Sequence, residues 1–228
     1  MGKKKKRQAQ CAYCGIWGQV TDDHVIPQCL FNKPLPKDIV LIPACAKCNN
    51  NDKSKDDEYL RDYLVTDIHT SNHHIAQSIF HSKFLSAVRQ NKSALAREVT
   101  KSASQEPFYS KGGIYLGEAV SGNFDGERMR RIFCRITHGL YFKVRRKRIP
   151  DSYVCRAERW TADDFNKLWP KLQEVGFNGP YECGDVFRCI MLYADEDEFI
   201  TTWWLWFYDQ MCIRVVIAPE GFDLGKKA

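Results

Sequence analysis

Two cysteine pairs in this 228-residue chain have the spacing of metal ligands: Cys11-Ala-Tyr-Cys14 and Cys45-Ala-Lys-Cys48. A two-residue gap lets both sulfurs of a pair turn toward one ion, and four thiolates close a tetrahedral structural zinc site. A redox dithiol needs only one such motif, so the second argues for metal. The 30 residues between the pairs exceed the gap of a short zinc ribbon, so a further segment is inserted between the knuckles. That insertion contains Asp23-His24, and Asn49 follows Cys48 directly. An Asp-His pair alone says little. Here a metal frame brackets it, and because neighbours on a regular strand point to opposite faces, the pair must end a strand if both serve one site.

The order Cys-x-x-Cys, Asp-His-x-x-Pro, Pro-Ala-Cys-x-x-Cys-Asn resembles the zinc-containing HNH endonucleases of the ββα-metal fold. The resemblance implies His24 as general base and Asp23 with Asn49 as ligands of one catalytic Mg²⁺ or Mn²⁺. It implies Cys11, Cys14, Cys45 and Cys48 as ligands of a structural Zn²⁺. The family's middle Asn is absent. The segment Asp38-Ile-Val40 stands in its place, and Asp38 is the candidate for orienting the loop that carries His24. Either Lys53 or Lys55 matches the family's trailing Lys, since the insertion Asn49-Asn-Asn-Asp52 leaves the register open. Ser54-Lys-Asp-Asp-Glu-Tyr59, Gly139-Leu-Tyr-Phe142 and an Arg-Arg-x-x-Pro-like segment are similar to those of uncharacterised bacterial HNH proteins. The chemistry is also coherent by itself. An imidazole near its working pKa takes a proton from water, and a hard cation on a carboxylate and an amide oxygen stabilises a departing alkoxide.

The expected elements around this site are a short strand over Ile16–Thr21, a second over Ile39–Ile42 and a helix opening at Lys55, whose early acids suit its positive end. The expected organisation is α+β: a basic disordered tail (1–10), a zinc-stapled ββα-metal module (11–66), a helical connector (67–106) and a C-terminal mixed α/β domain with antiparallel sheet (107–228). In the last part Met129, Ile132, Phe133, Ile136, Leu140 and Tyr141 form a helical apolar stripe. Thr161-Ala-Asp-Asp164 has the shape of a capping box, and its helix stops at Gly176. Three strand-like runs follow, over Val186–Tyr193, Ile200–Tyr208 and Met211–Ala218. In Thr202-Trp-Trp-Leu-Trp-Phe207 both alternating faces are apolar, which places that strand centrally, covered on both sides.

The net charge of +6 is uneven. Lys3, Lys4, Lys5, Lys6 and Arg7 form one basic run, and Lys143 with Arg145, Arg146, Lys147 and Arg148 forms another. Such patches are the footprint of a nucleic-acid binder; a solubility tail and a helix-capping run explain them equally well. Together with Lys53 and Lys55, the residues Lys3 to Arg7, Arg145, Arg146 and Arg148 are the candidate nucleic-acid contacts. Ten cysteines without an export signal point away from disulfides, and the six outside the pairs read as small buried hydrophobes. His69, His73, His74 and His81 read as solvated or packing groups, and the tryptophan-rich run as core. With no apolar run near the ~20 residues of a membrane span, a cytoplasmic protein is expected. The resulting expectation is a metal-dependent endonuclease acting on nucleic acid, double-stranded DNA first. A homodimer and a defence-system partner are further candidates by analogy. The rival is a non-catalytic zinc module that binds nucleic acid or protein.

Overall fold

A computed structural model describes residues 7–110 and 112–222. The first sheet is built around the knuckles. Strand β1 (Arg7–Gln10) pairs antiparallel with β2 (Trp17–His24), Gln10 opposite Trp17, so the first cysteine pair is the loop of a hairpin. Gly15 closes that loop at φ +75°, a left-handed conformation cheap only for glycine. Arg7–Gln10 is therefore a strand, where composition suggested a disordered tail; pairing to β2 supplies the ladder that its polar sequence does not advertise. Lys3, Lys4, Lys5 and Lys6 lie outside the described residues. Strand β3 (Leu41–Cys45) pairs with the other edge of β2, and Asp23 faces Ile42 while His24 faces Leu41.

Helix α1 (Asn51–Thr66) starts directly after the second knuckle. The Asn50 side chain caps it, accepting from the amides of Asp52 and Lys53. The connector is helical but broken: α2 (His74–Ile79), a π turn over Phe80–Phe84, α3 (Leu85–Arg89) and α4 (Ala94–Ser102). An exposed hairpin follows, β4 (Ser104–Tyr109) with β5 (Tyr115–Ser121). Helix α5 (Gly126–Arg145) buries the expected stripe and ends at Arg146, which takes the left-handed conformation.

Strand β6 (Tyr153–Trp160) leads to α6 (Ala162–Val175), opened by the Thr161/Asp164 capping box and stopped at Gly176. Strands β7 (Asn178–Cys183), β8 (Phe187–Tyr193), β9 (Thr201–Phe207) and β10 (Met211–Pro219) complete an antiparallel sheet of order β6-β10-β9-β8-β7. Strand β9 is central, and its two faces have separate partners. Trp203, Leu205 and Phe207 enter the main core, while Trp204 and Trp206 pack with Phe165 and Trp169 under α6. The architecture is thus α+β with antiparallel sheets and a cysteine cluster near the N-terminus.

The main core is continuous from Ala12, Val25 and Ile42 through Leu60 and Ile136 to Leu205 and Ile217. The expected module, connector and C-terminal part share this one interior. At Gly139 a Cβ would lie 2.9 Å from both Val25 methyl carbons and 3.2 Å from Ile42 Cδ1, so α5 sits directly on β3 and on the residue that follows β2. Cys134 of α5 and Cys155 of β6 form a disulfide, which corrects the expectation that no cysteines pair. The helix stripe brings Cys134 over a strand 21 residues away, a juxtaposition that spacing alone does not reveal. Cys183, Cys189 and Cys212 are buried thiols, and Cys29 donates to the Asp57 carbonyl at 3.3 Å. No helix among the described residues is long and apolar enough to cross a membrane.

Candidate metal centre and active site

The hairpin loop and the β3–α1 turn bring the four cysteines together, every Sγ within 4.8 Å of the others. The Cys14 and Cys45 sulfurs are 3.7 Å apart. The edge of a tetrahedron with Zn–S bonds of ~2.3 Å is about 3.8 Å, so the spacing suits zinc. Backbone amides prepare the ligands: Cys45 N–H donates to Cys11 Sγ at 3.4 Å. Burial pushes the Cys11 thiol up, but amides of Cys14, Cys45 and Tyr13 outweigh it and bring the thiol down to about 7. Four soft thiolates in this arrangement are a metal site compatible with structural zinc. Among the described residues no other group of three or more His, Cys, Asp or Glu side chains converges this way.

Asp23 and His24 are the last two residues of β2. Asp23 lies on the inner face with Ile42 and is 2% exposed. Its Oδ1 meets Lys53 Nζ at 3.0 Å; its Oδ2 accepts from the Tyr13 hydroxyl at 3.0 Å and from Arg135 Nη2 at 3.3 Å. The Arg135 guanidinium also lies over the Tyr13 ring, 5.0 Å from its centroid. Lys53, itself buried, donates to Asp57 at 2.7 Å and to the His24 carbonyl at 3.3 Å. Burial pushes the Asp57 carboxyl up, and Lys53 pulls it back only in part. The core of the network is therefore two carboxylates against two cations, a balance that burial requires. His24, half-buried, follows strand alternation onto the face of Leu41. Asn49 donates to Thr21 Oγ1 at 3.2 Å, and Thr21 shares Asp23's face of β2.

The structure also resolves which lysine reaches the site. Lys53 joins Asp23, whereas Lys55 is exposed and pairs with Asp52 at 3.2 Å. Asp38 is engaged elsewhere, accepting from the Gly184 amide at 3.3 Å beside β8. The loop after His24 is held instead by the Val25 amide on the Val40 carbonyl at 3.0 Å and by Lys53. The second basic run is largely occupied. Arg145 stacks on Tyr193 at 4.4 Å, Lys147 pairs with Glu198, and Arg148 donates to the Tyr13 carbonyl at 2.9 Å and pairs with Asp151. Arg146 is exposed at the end of α5, and Arg7 pairs with Asp22 at 2.9 Å.

Tyr13, Asp57 and Arg135 carry this site without having been singled out in the sequence. Tyr13 sits inside a knuckle, a position that marks it in hindsight. Arg135 is 112 residues from Asp23 and has no local signal. No family model, curated protein or solved structure matches the chain.

Proposed function

We propose that this protein is a metal-dependent endonuclease of the HNH, ββα-metal type that hydrolyses phosphodiester bonds in DNA. The observation that carries this reading is positional. Asp23-His24 ends β2, β3 pairs beside it, and Asn49 stands at the head of α1, with four clustered cysteines fixing both flanks. His24 is the base that takes a proton from the attacking water. Asp23 and Asn49 offer a carboxylate and a carboxamide oxygen, hard donors that suit Mg²⁺ or Mn²⁺. Such an ion, when bound, stabilises charge on the leaving oxygen. Lys53 has Asp57 as a second carboxylate at 2.7 Å, so it keeps a partner when it yields Asp23. Arg135 and Tyr13 orient the Asp23 carboxylate from the other side.

One observation favours a second reading, a non-catalytic zinc module that binds nucleic acid or protein. Both Asp23 oxygens are engaged by protein groups, and His24 follows the opposite strand face. Cleavage separates the two. Zinc-loaded protein with Mg²⁺ or Mn²⁺ is expected to nick or cut plasmid DNA, and His24→Ala to abolish this with zinc content unchanged. Equal cleavage by the two proteins sinks the mechanism. No cleavage of duplex, single-stranded or branched DNA, or of RNA, selects the binding module.

A further inference from the structure

A cleft of about 490 Å³ opens between the start of α1 and the N-terminal half of α5. Tyr13, Lys53 and Arg135 form its wall toward Asp23, and Arg130, Arg131 and His138 form its α5 side. From this arrangement we infer that the cleft holds the phosphodiester backbone of the DNA, with Arg130 and Arg131 as its clamps and His138 as its floor. The inference rests on the nuclease reading and deepens it by assigning the substrate path.

Three observations converge. The first is position: Lys53, Arg135 and Tyr13 line the cleft and all touch Asp23, so this one layer of side chains separates a backbone in the cleft from the proposed catalytic carboxylate. The second is available charge. Arg130 and Arg131 are 46% and 60% exposed; Arg130 pairs with the exposed Glu127 and donates to the Cys155 carbonyl at 3.2 Å, Arg131 pairs with Asp56, and ion pairs on guanidinium groups this exposed are weak enough to yield to a phosphate. Asp56 is already bonded to Arg128 at 2.7 Å, against 3.5 Å for Arg131, so Arg131 is its surplus cation. The third is an unmet bond. His138 Nε2 is shut off from solvent, has no hydrogen-bond partner and belongs to a side chain lining the cleft. A buried polar atom left unpaired costs stability unless a ligand completes it. Residues 131, 135 and 138 fall at helical intervals of four and three, which puts the two arginines and the histidine along one side of α5.

The chemistry points to backbone rather than bases. Guanidinium groups and an imidazole meet phosphate oxygens, and the phenol ring of the cleft, Tyr13, lies under Arg135. In the Lys143–Arg148 run, Arg145 lies on Tyr193 and Arg148 holds the Tyr13 carbonyl, which leaves the exposed Lys143 and Arg146 as the comparison for the cleft.

The test is fluorescence anisotropy of a labelled DNA duplex with the full-length, zinc-loaded protein, without Mg²⁺, over a salt series. Arg130→Ala with Arg131→Ala is expected to weaken binding roughly tenfold at low salt and to flatten the salt slope by about two. Lys143→Ala with Arg146→Ala is expected to bind like wild type. His138→Leu is expected to weaken binding with no loss of melting temperature, and His138→Gln to restore part of it. Wild-type binding by the Arg130/Arg131 variant, or loss of binding in the Lys143/Arg146 variant instead, overturns the proposed path. Wild-type binding by His138→Leu overturns the floor. If the wild type cleaves DNA and the Arg130/Arg131 variant cleaves equally well, this inference fails and the nuclease reading stands. A wild type that neither binds nor cleaves DNA removes both.

Discussion

A carboxylate as enclosed as that of Asp23 destabilises a fold unless cations meet it, and here Lys53 and Arg135 do so from helices far apart in sequence. The same crowding governs His138. Burial holds its imidazole down to about 4 from an ordinary 6.5; Arg148 adds to the effect and Asp151 opposes it. As pH falls through 6.5 the unfolded chain takes up this proton first, while the folded protein resists until about 4. The associated stability is therefore present above pH 6.5 and lost between 6.5 and 4, on the order of 3 kcal/mol in full. Urea unfolding of wild type and His138→Gln at pH 7 and pH 4.5 isolates this contribution, because acid release of zinc affects both proteins alike. Equal pH dependence in the two would refute it.

Among the elements, α5 is the one on which the site depends. Its capped N-terminus, buried stripe and basic last turn make it a helix by local rules. Its position comes from close approach, with Gly139 against Val25 and Ile42, which presents Arg135 to Asp23. Gly139→Ala gains about 1 kcal/mol of helix propensity. The added carbon meets both methyl carbons of a buried β-branched residue at 2.9 Å, so no single rotation of Val25 clears it. Overpacking of this kind costs ~1–3 kcal/mol and displaces the helix. The expected net result is a lower melting temperature together with reduced DNA cleavage. An unchanged melting temperature would show that the contact of Gly139 with Val25 and Ile42 has slack.

For the molecule as a whole, the continuous core makes the cysteine cluster a structural determinant well beyond its own loop. Tyr208 donates to the Leu30 carbonyl at 2.9 Å across 178 residues, and Arg148 to the Tyr13 carbonyl across 135, so the first knuckle and the segment between the knuckles are each tied to the C-terminal half. A zinc ion held by these four cysteines would contribute folding free energy on the order of 10 kcal/mol, comparable to the whole stability of a domain. Removing it with a strong chelator is expected to unfold the chain in one transition, with far-UV circular dichroism and tryptophan fluorescence changing together. Tryptophan fluorescence that survives chelation would show that the sheet carrying Trp203, Trp204 and Trp206 folds without the metal frame.

The parts of this protein that follow from neighbouring residues were readable before folding. Cys-x-x-Cys spacing announced the metal cluster, the stripe from Met129 to Tyr141 announced α5, Thr161 and Asp164 announced the start of α6, and the two apolar faces of Thr202–Phe207 announced a central strand. Such signals are local because backbone capping and side-chain period act within a few residues. The rest is decided by contacts between distant segments, which leave no periodic trace. Arg7–Gln10 is a strand only because β2 lies beside it, Asp38 turns to Gly184 rather than to the His24 loop, and Cys134 finds Cys155. Local spacing alone placed a four-cysteine frame around Asp23, His24 and Asn49. That a helix more than a hundred residues later supplies Arg135 emerges with folding, because balancing a buried charge depends on distance in space and not along the chain.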